Sequence, residues 1–262
     1  MNACASVSFA AKAEEGAPTA RILIMDIERL PGLGRVWSQK TRYLPVSQWT
    51  RMPSLLCFAA KWHGQRGIEF HAAWDDYDAM VQRSWELYDA ADIIVGYNSR
   101  RFDNKHLRGA WLEAGMVPPR PWKDVDLFVS GNQFGFESRS LAHLCQRLGL
   151  PGKSGHYDPL VAEQAIGGDE KSQRQMKRYN CGDVRITEAA YERVRPWIHN
   201  HPHVRTSGGD VLTCNRCGSD ELTKLPTDYV AQVLSYAQYR CPCGGIVRAG
   251  HVRRVARTRG VQ

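Results

Sequence analysis

No stretch of about 18 consecutive apolar residues occurs in the 262-residue chain, so neither a membrane-spanning helix nor a membrane partner is expected. Basic residues are missing ahead of the first apolar stretch. In MNACASVSFAAKAEEGAPTA the first Lys is Lys12, behind the apolar residues that a secretory leader would need it to precede. Residues 1–20 are therefore expected to be a disordered tail. No internal repeat is visible, so the chain is not a repeat array. A disulfide framework is missing too. Of 8 cysteines, Cys4, Cys57, Cys145 and Cys181 are scattered, with Cys57 and Cys145 in apolar segments where buried free thiols are the default. Cys214, Cys217, Cys241 and Cys243 are clustered. That division fits a reducing, cytoplasmic compartment and a metal site.

The last quarter is short of acid. From Arg195 to Gln262 there are ten Lys/Arg against four Asp/Glu, a net +6, while the preceding residues carry only +2 of the total +8. A basic module beside a nearly neutral domain suits a polyanionic partner, nucleic acid above all. A solvated, solubilising surface is the plainer alternative.

At 43% hydrophobic composition, the chain can bury one full domain core and carry a small appendage. RILIMDI (21–27) reads as a buried strand ending in acid. Residues 55–62 and 68–74 are strand-like, and the HGQRG between them fits a hairpin. Helical spacing comes next over 76–90, then a strand in ADIIVGYN, a helix over FDNKHLRGAWLEAG stopping at Gly115, and a strand in VDLF (125–128). A Ser-capped helix in SRSLAHLCQRLG closes at Gly149, GKSGHYDP is a loop, and a long helical stretch runs over 169–198. This order predicts an α/β fold: a mixed sheet flanked by helices, with a small C-terminal β module. HNHPHVRTSGGD reads as a linker. The expected divisions are thus a tail (1–20), a main domain (21–198), a linker (199–210), a cysteine module (211–250) and a basic tail (251–262).

Three acidic stations stand in this frame. Asp26 and Glu28 lie two apart on a strand, hence on one face. Two carboxylates so placed repel and lose charge unless a cation neutralises them, and a hard cation such as Mg²⁺ or Mn²⁺ fits. Asp103 comes after the strand ending GYN, at the sheet edge where α/β folds bind ligands. Tyr179 and Asp183 are four apart on a helix and share a face. Each station has an ordinary alternative: strand-end solubility, a helix N-terminal acid, and an amphipathic helix with a packed Tyr. Together they offer four carboxylates and a phenol, enough for two divalent metals about 4 Å apart, a common device for cleaving phosphodiesters.

The order DIE, NSRRFD, YNCGD resembles the DEDD superfamily of 3′–5′ exonucleases, in its Tyr-containing subclass. GYNSRRFDNKHL is especially similar to the second motif of the proofreading domains of family B DNA polymerases. SLAHLCQRLGL resembles the helix before the third motif. The resemblance spans roughly residues 21–195. It implies a ribonuclease-H-like sheet and makes Asp26, Glu28, Asp103 and Asp183 ligands of two Mg²⁺ or Mn²⁺. Tyr179 would position the attacking water, and Asn98 and Phe102 would shape the substrate edge. Family members often carry Thr after the Glu of the first motif. Here Arg29 stands there, as a phosphate contact or a mark of altered substrate handling. Lys177 and Arg178, with Lys171 and Arg174, precede Tyr179 and could guide a strand's phosphates, or simply form a solvated helix face.

CNRC (Cys214, Cys217) and CPCG (Cys241, Cys243) flank DYVAQVLSYAQYR, a stretch of alternating hydrophobicity. Two such knuckles at the ends of a hairpin make a structural four-thiolate Zn²⁺ site, a zinc ribbon. The second knuckle is one residue shorter than usual, which leaves His251 open as a substitute ligand. Arg216, Lys224, Arg240 and Arg248, interleaved with Tyr229, Tyr236 and Tyr239, offer a stacking and phosphate-binding surface. Packing of the ribbon is the alternative role for the tyrosines.

The expected protein is a metal-dependent 3′–5′ exonuclease acting on single-stranded 3′ ends, DNA favoured. It would release nucleoside 5′-monophosphates and could dock replication or repair proteins through the ribbon. The chain shows no polymerase region, so proofreading in cis is not expected. The competing expectation is a catalytically inactive nucleic-acid-binding or replication-complex adaptor protein on the same fold.

Overall fold

Nine consecutive residues, Ile22–Leu30, form the strand β1, whose apolar side chains are buried on both faces. Such a strand can only be central, with cover on each side. The computed structural model describes residues 19–153, 155–206, 211–231 and 234–250, and the backbone of 253–254. Two compact units result: Arg21–Val194, and Met1–Ala20 with Arg195–Gln262.

In the first unit β1 leads to the short strands β2 (Leu33–Gly34) and β3 (Trp49–Arg51), then β4 (Ser54–Trp62), β5 (Glu69–Ala72), β6 (Ile93–Gly96) and β7 (Lys123–Asp126). The five longer strands form one sheet in the order β5-β4-β1-β6-β7. β4 runs antiparallel to β1 and β5, whereas β6 is parallel to β1 and β7 to β6. The sheet is therefore mixed. Helices α1 (Ala73–Ala90), α2 (Asp103–Glu113), α3 (Leu127–Ser130), α4 (Leu141–Leu148), α5 (Pro159–Ile166) and α6 (Glu170–Val194) flank it.

Period-two geometry divides β1 between two cores. Leu23, Met25 and Ile27 pack with Met80, Leu87 and Tyr88 of α1 and Leu107 and Trp111 of α2. On the other face Leu30, with Leu56 of β4, meets Ala162 and Ala165 of α5 and Met176 of α6. Asp26 and Glu28 share this second face, so α6 lies over the acids. An ion pair Lys61–Glu188 and a hydrogen bond between His63 and Glu192 tie α6 to β4 and the turn after it.

Several boundaries differ from expectation for identifiable reasons. The strand expected over 125–128 ends at Asp126, whose carboxylate accepts from Phe128 N at 3.0 Å and starts α3. α5 has no counterpart among the expected elements, although Asp158 and Pro159 open it with an Asp cap (from Leu160 N, 2.9 Å) and Pro in the first turn. α1 begins before its expected start, but residue 76 is a real breakpoint. Asp76 is extended (φ −164°) and caps the rest of the helix by accepting from Ala79 N at 2.9 Å.

In the second unit, β8 (Thr223–Lys224), β9 (Tyr229–Ala231), β10 (Leu234–Tyr236), β11 (Gln238–Arg240), β12 (Ile246–Arg248) and β13 (Arg253–Arg254) form two small antiparallel sheets. The stretch expected as a linker is ordered here over residues 199–206. Val204 is buried, its amide bonds Asn215 O at 3.0 Å, and its carbonyl accepts from Ala20 N at 2.6 Å. The expected tail 1–18, the rest of the linker (207–210) and the basic tail with His251 lie outside the described residues, save the backbone of 253–254 in β13.

Candidate functional site

β1 and α6 bring three of the four predicted carboxylates together. One oxygen from each of Asp26, Glu28 and Asp183 lies within 4.8 Å of the others. Along β1, Asp26 faces Ala59 and Glu28 faces Cys57 on β4, small partners that leave room above the sheet. The register slips between Glu28 and Arg29, a bulge that interrupts the ladder beside the acids before it resumes at Arg29 and Leu30. Asp183 comes from the buried stripe of α6 that also holds Met176, Asn180, Val184 and Thr187.

The fourth carboxylate has a different local task. Asp103, buried at the start of α2, accepts from Ile27 N at 3.1 Å and so ties α2 to β1 between the two strand acids. It stands close enough to raise the pKa values of Asp26 and Glu28 electrostatically, yet is not one of the three converging acids.

Electrostatics in this cluster is adverse. Burial, then the charge of Asp183, pushes Glu28 up to about 8. Burial, reinforced by Asp103, Glu28 and Asp183, raises Asp26 well above the ordinary carboxylate range. Burial raises Asp103 to about 7 against the opposing hydrogen bond from Ile27. Asp183 is raised by burial as well, opposed by Lys153.

Two residues that sequence reasoning missed hold the cluster. Lys153, in the loop before α5, places Nζ 2.5 Å from Asp183 Oδ2 and 3.3 Å from the Tyr179 hydroxyl. Burial pulls its ammonium down, but the bond to Asp183 and that carboxylate's charge carry it above its ordinary value, so it stays charged. Asn180, fully buried, donates from Nδ2 to Asp26 Oδ2 at 2.7 Å and to Asp26 O at 3.1 Å. Its position next to Tyr179 was the available signal. For Lys153 there was none, because a Lys in a Gly-rich loop reads as solvated.

Tyr179 is half-buried, and burial with the neighbouring Asp183 pushes its hydroxyl up to about 12, leaving a protonated donor at neutral pH.

The residues predicted as substrate contacts have different local surroundings. Asn98 has a left-handed backbone (φ 63°) and its amide donates to Asp126 Oδ1 at 2.8 Å, so the turn itself favours Asn there. Phe102 is 39% exposed and meets His106 edge-on, ring centroids 4.7 Å apart. Arg29 directs its guanidinium to Pro53 O (3.2 Å) and His106 (3.3 Å). Lys177 and Arg178 are on α6, and the Lys177 ammonium lies 5.5 Å from the Phe70 ring centre.

Do these residues suit a divalent cation? Asp183 Oδ1 is buried with no hydrogen-bond partner, the acids are hard oxygen donors, and burial with mutual repulsion, only partly offset by Lys153, shifts them toward their neutral forms, a penalty that a cation would relieve. The donor set fits.

In the second unit the four cysteine sulfurs all lie within 4.8 Å of one another, with Cys214–Cys243 at 3.8 Å and Cys217–Cys241 at 3.4 Å. The first knuckle turns on Gly218 (φ 79°), whose amide donates to Cys214 O at 2.8 Å. The shorter second knuckle closes the same way, with Gly244 (φ 90°) donating to Cys241 O at 2.9 Å. Both its cysteines thus reach the cluster. Hydrogen bonds from the Cys217 and Cys243 thiols hold Cys214 well below the usual thiol range, a bias toward the thiolate that metals bind. A set of four sulfurs matches zinc.

Arg216 departs from expectation. It is buried, its Nε donating to Ile198 O at 3.1 Å and its Nη1 to Ile246 O at 3.0 Å, so it braces the module and is not a surface phosphate contact. Arg248 stacks on Tyr236, 4.2 Å from the ring centre.

Among solved structures, the chain is similar to the family B DNA polymerase from the hyperthermophilic archaeon Pyrobaculum calidifontis, at 21% identity and a TM-score of 0.49. The match covers 70% of this chain and 26% of the polymerase, about a quarter of its length. No protein-family model and no curated protein matches the chain. Among the described residues no helix is long and apolar enough to cross a membrane.

Proposed function

We propose that residues Arg21–Val194 form a metal-dependent nuclease that removes nucleotides from the 3′ end of single-stranded nucleic acid, DNA favoured. The products are nucleoside 5′-monophosphates. The observation that carries this reading is the convergence of Asp26, Glu28 and Asp183 from a strand and a distant helix, half-buried or buried, with raised pKa values and an orphaned Asp183 oxygen. Mutually repelling carboxylates this close are costly unless a task requires them. The 3′–5′ polarity rests on the resemblance of the motif order to the DEDD exonucleases.

Asp26, Glu28 and Asp183 would hold divalent cations, with Asp103 beside them, and the cations would supply positive charge for the scissile phosphate and acidify water. The protein's own groups arrange the rest. Tyr179, protonated at neutral pH, donates a hydrogen bond to the attacking water. Lys153 fixes Asp183 and Tyr179 relative to each other, and Asn180 fixes Asp26. Asp103 locks α2 to β1 beside the strand acids. The second unit serves as a zinc-stabilised nucleic-acid grip, with Arg248, Tyr229 and Tyr236 on its surface.

The test uses 3′- and 5′-labelled single-stranded DNA and RNA with Mg²⁺, Mn²⁺ or EDTA, beside Asp26→Asn and Asp183→Asn. Stepwise, metal-dependent loss from the 3′ end, falling by at least about a thousandfold in either variant, is expected. Binding without cleavage under every metal would make the protein an inactive scaffold, and full activity in either variant would refute the site.

A further inference from the structure

Between Glu28 and Glu69 the chain carries no acidic residue, while Arg29, Arg35, Lys40, Arg42, Arg51, Lys61 and Arg66 are all basic. Within this stretch, residues 31–53 form an arm that the acidic site does not use. Its base is firmly built. Trp49 lies over Gly32 so closely that a Cβ there would sit 2.2 Å from the ring, and Leu44 covers Gly34 equally tightly. Arg51 spans the base, donating to Pro31 O at 2.7 Å and pairing with Glu163 of α5. Arg35 N bonds Gln48 O at 2.9 Å across the arm.

Beyond that base every residue from 33 to 43 is exposed. Trp37 is 95% exposed and Tyr43 76%. Both rings are thus open to a ligand, on an arm whose base is braced. Arg35, Lys40 and Arg42 alternate with them and have no ion-pair partner among the described residues. Bases stack on aromatic rings whatever their sequence, and interleaved cations hold the phosphates. The arm also starts near the acids: Leu33 is five residues after Glu28, at most about 17 Å along an extended chain.

We propose that this arm is a stacking platform for single-stranded nucleic acid, with bases on Trp37 and Tyr43 and phosphates on Arg35, Lys40 and Arg42. It holds the strand just outside the acidic site. This inference rests on the nuclease reading for the identity of its ligand.

The experiment measures fluorescence anisotropy of a labelled twelve-nucleotide oligothymidylate against the full chain in Ca²⁺. Trp37→Ala and Tyr43→Ala each weaken binding about tenfold, and the double variant of the order of a hundredfold. Trp37→Phe/Tyr43→Phe, which keeps two stacking faces, recovers most of the loss. Replacing Arg35, Lys40 and Arg42 together by Ala lowers the slope of log affinity against log salt by about 2, at about 0.7 per phosphate contact. Wild-type binding and cleavage with an alanine double variant within twofold of wild type would overturn the arm alone. A phenylalanine variant as weak as the alanine one would overturn stacking. A wild-type protein that binds no single strand would overturn the arm and the nuclease reading together.

Discussion

Replacing Lys153 by Met removes the cation hydrogen-bonded to Asp183 and leaves three converging carboxylates without an offsetting charge. Deleting one partner of a buried ion pair costs about 3–5 kcal/mol. The Lys153 side chain is 26% exposed and that of Asp183 5%, so water recovers part of the loss and about 2–3 kcal/mol is expected. The sign with pH comes from the carboxyls. Their folded-state pKa values are raised, so the folded protein binds more protons than the unfolded chain, and their contribution to stability falls as pH rises through that window. Removing Lys153 raises them further. The deficit of the variant is therefore largest above about pH 8, where Glu28 ionises, and shrinks toward about pH 4–5 as the acids protonate. At about 2–4 °C per kcal/mol, Tm drops by roughly 5–10 °C in EDTA at alkaline pH. Seven of the eight tryptophans lie in Arg21–Val194, so their fluorescence reports on this unit. Mn²⁺ should restore more stability to the variant than to wild type, because it answers the same unmet charge. A variant as stable as wild type at alkaline pH, or equally impaired at both ends of the range, would refute the idea that Lys153 neutralises the cluster.

Divalent cation binding should release protons and strengthen steeply between about pH 6 and 8, since burial holds Asp103 at about 7 and Glu28 at about 8 in the metal-free protein. Calorimetry in buffers of different ionisation enthalpy reads that release, and pH-independent affinity would contradict the raised values. The cysteine module should carry one Zn²⁺ per chain, with chelation or Cys241→Ser opening residues 211–250 to protease while tryptophan fluorescence of the other unit stays unchanged. Metal analysis showing no zinc in protein purified without chelator would sink that assignment.

Local sequence carried a large part of the fold. Continuous apolar runs identified β1, β4 and β6 because a strand covered on both faces has no polar alternation. Ser140 and Gly149 bounded α4, since caps act within a few residues of the helix end they satisfy. α5 escaped sequence reasoning although Asp158 and Pro159 announce it, and the 31–53 arm offers no element to assign because its hydrophobic residues keep neither helical nor strand period. The four cysteines were legible by spacing alone, and the structure adds how two positive-φ glycines let a shortened knuckle bring both its thiols in.

Sequence alone determined which side chains share a face: Asp26 with Glu28 by strand period, Tyr179 with Asp183 by helix period, each cysteine with its knuckle partner. These are relations over two to four residues, where covalent geometry leaves little choice. Only the tertiary structure decided that α6 lies over the acid-bearing face of β1 and that Asp103 spends one oxygen on Ile27. It alone brought Lys153 and Asn180 from outside any motif to charge and anchor the cluster. Those contacts span from 30 residues to more than 150, and they exist because two apolar faces of one sheet had to be covered by helices.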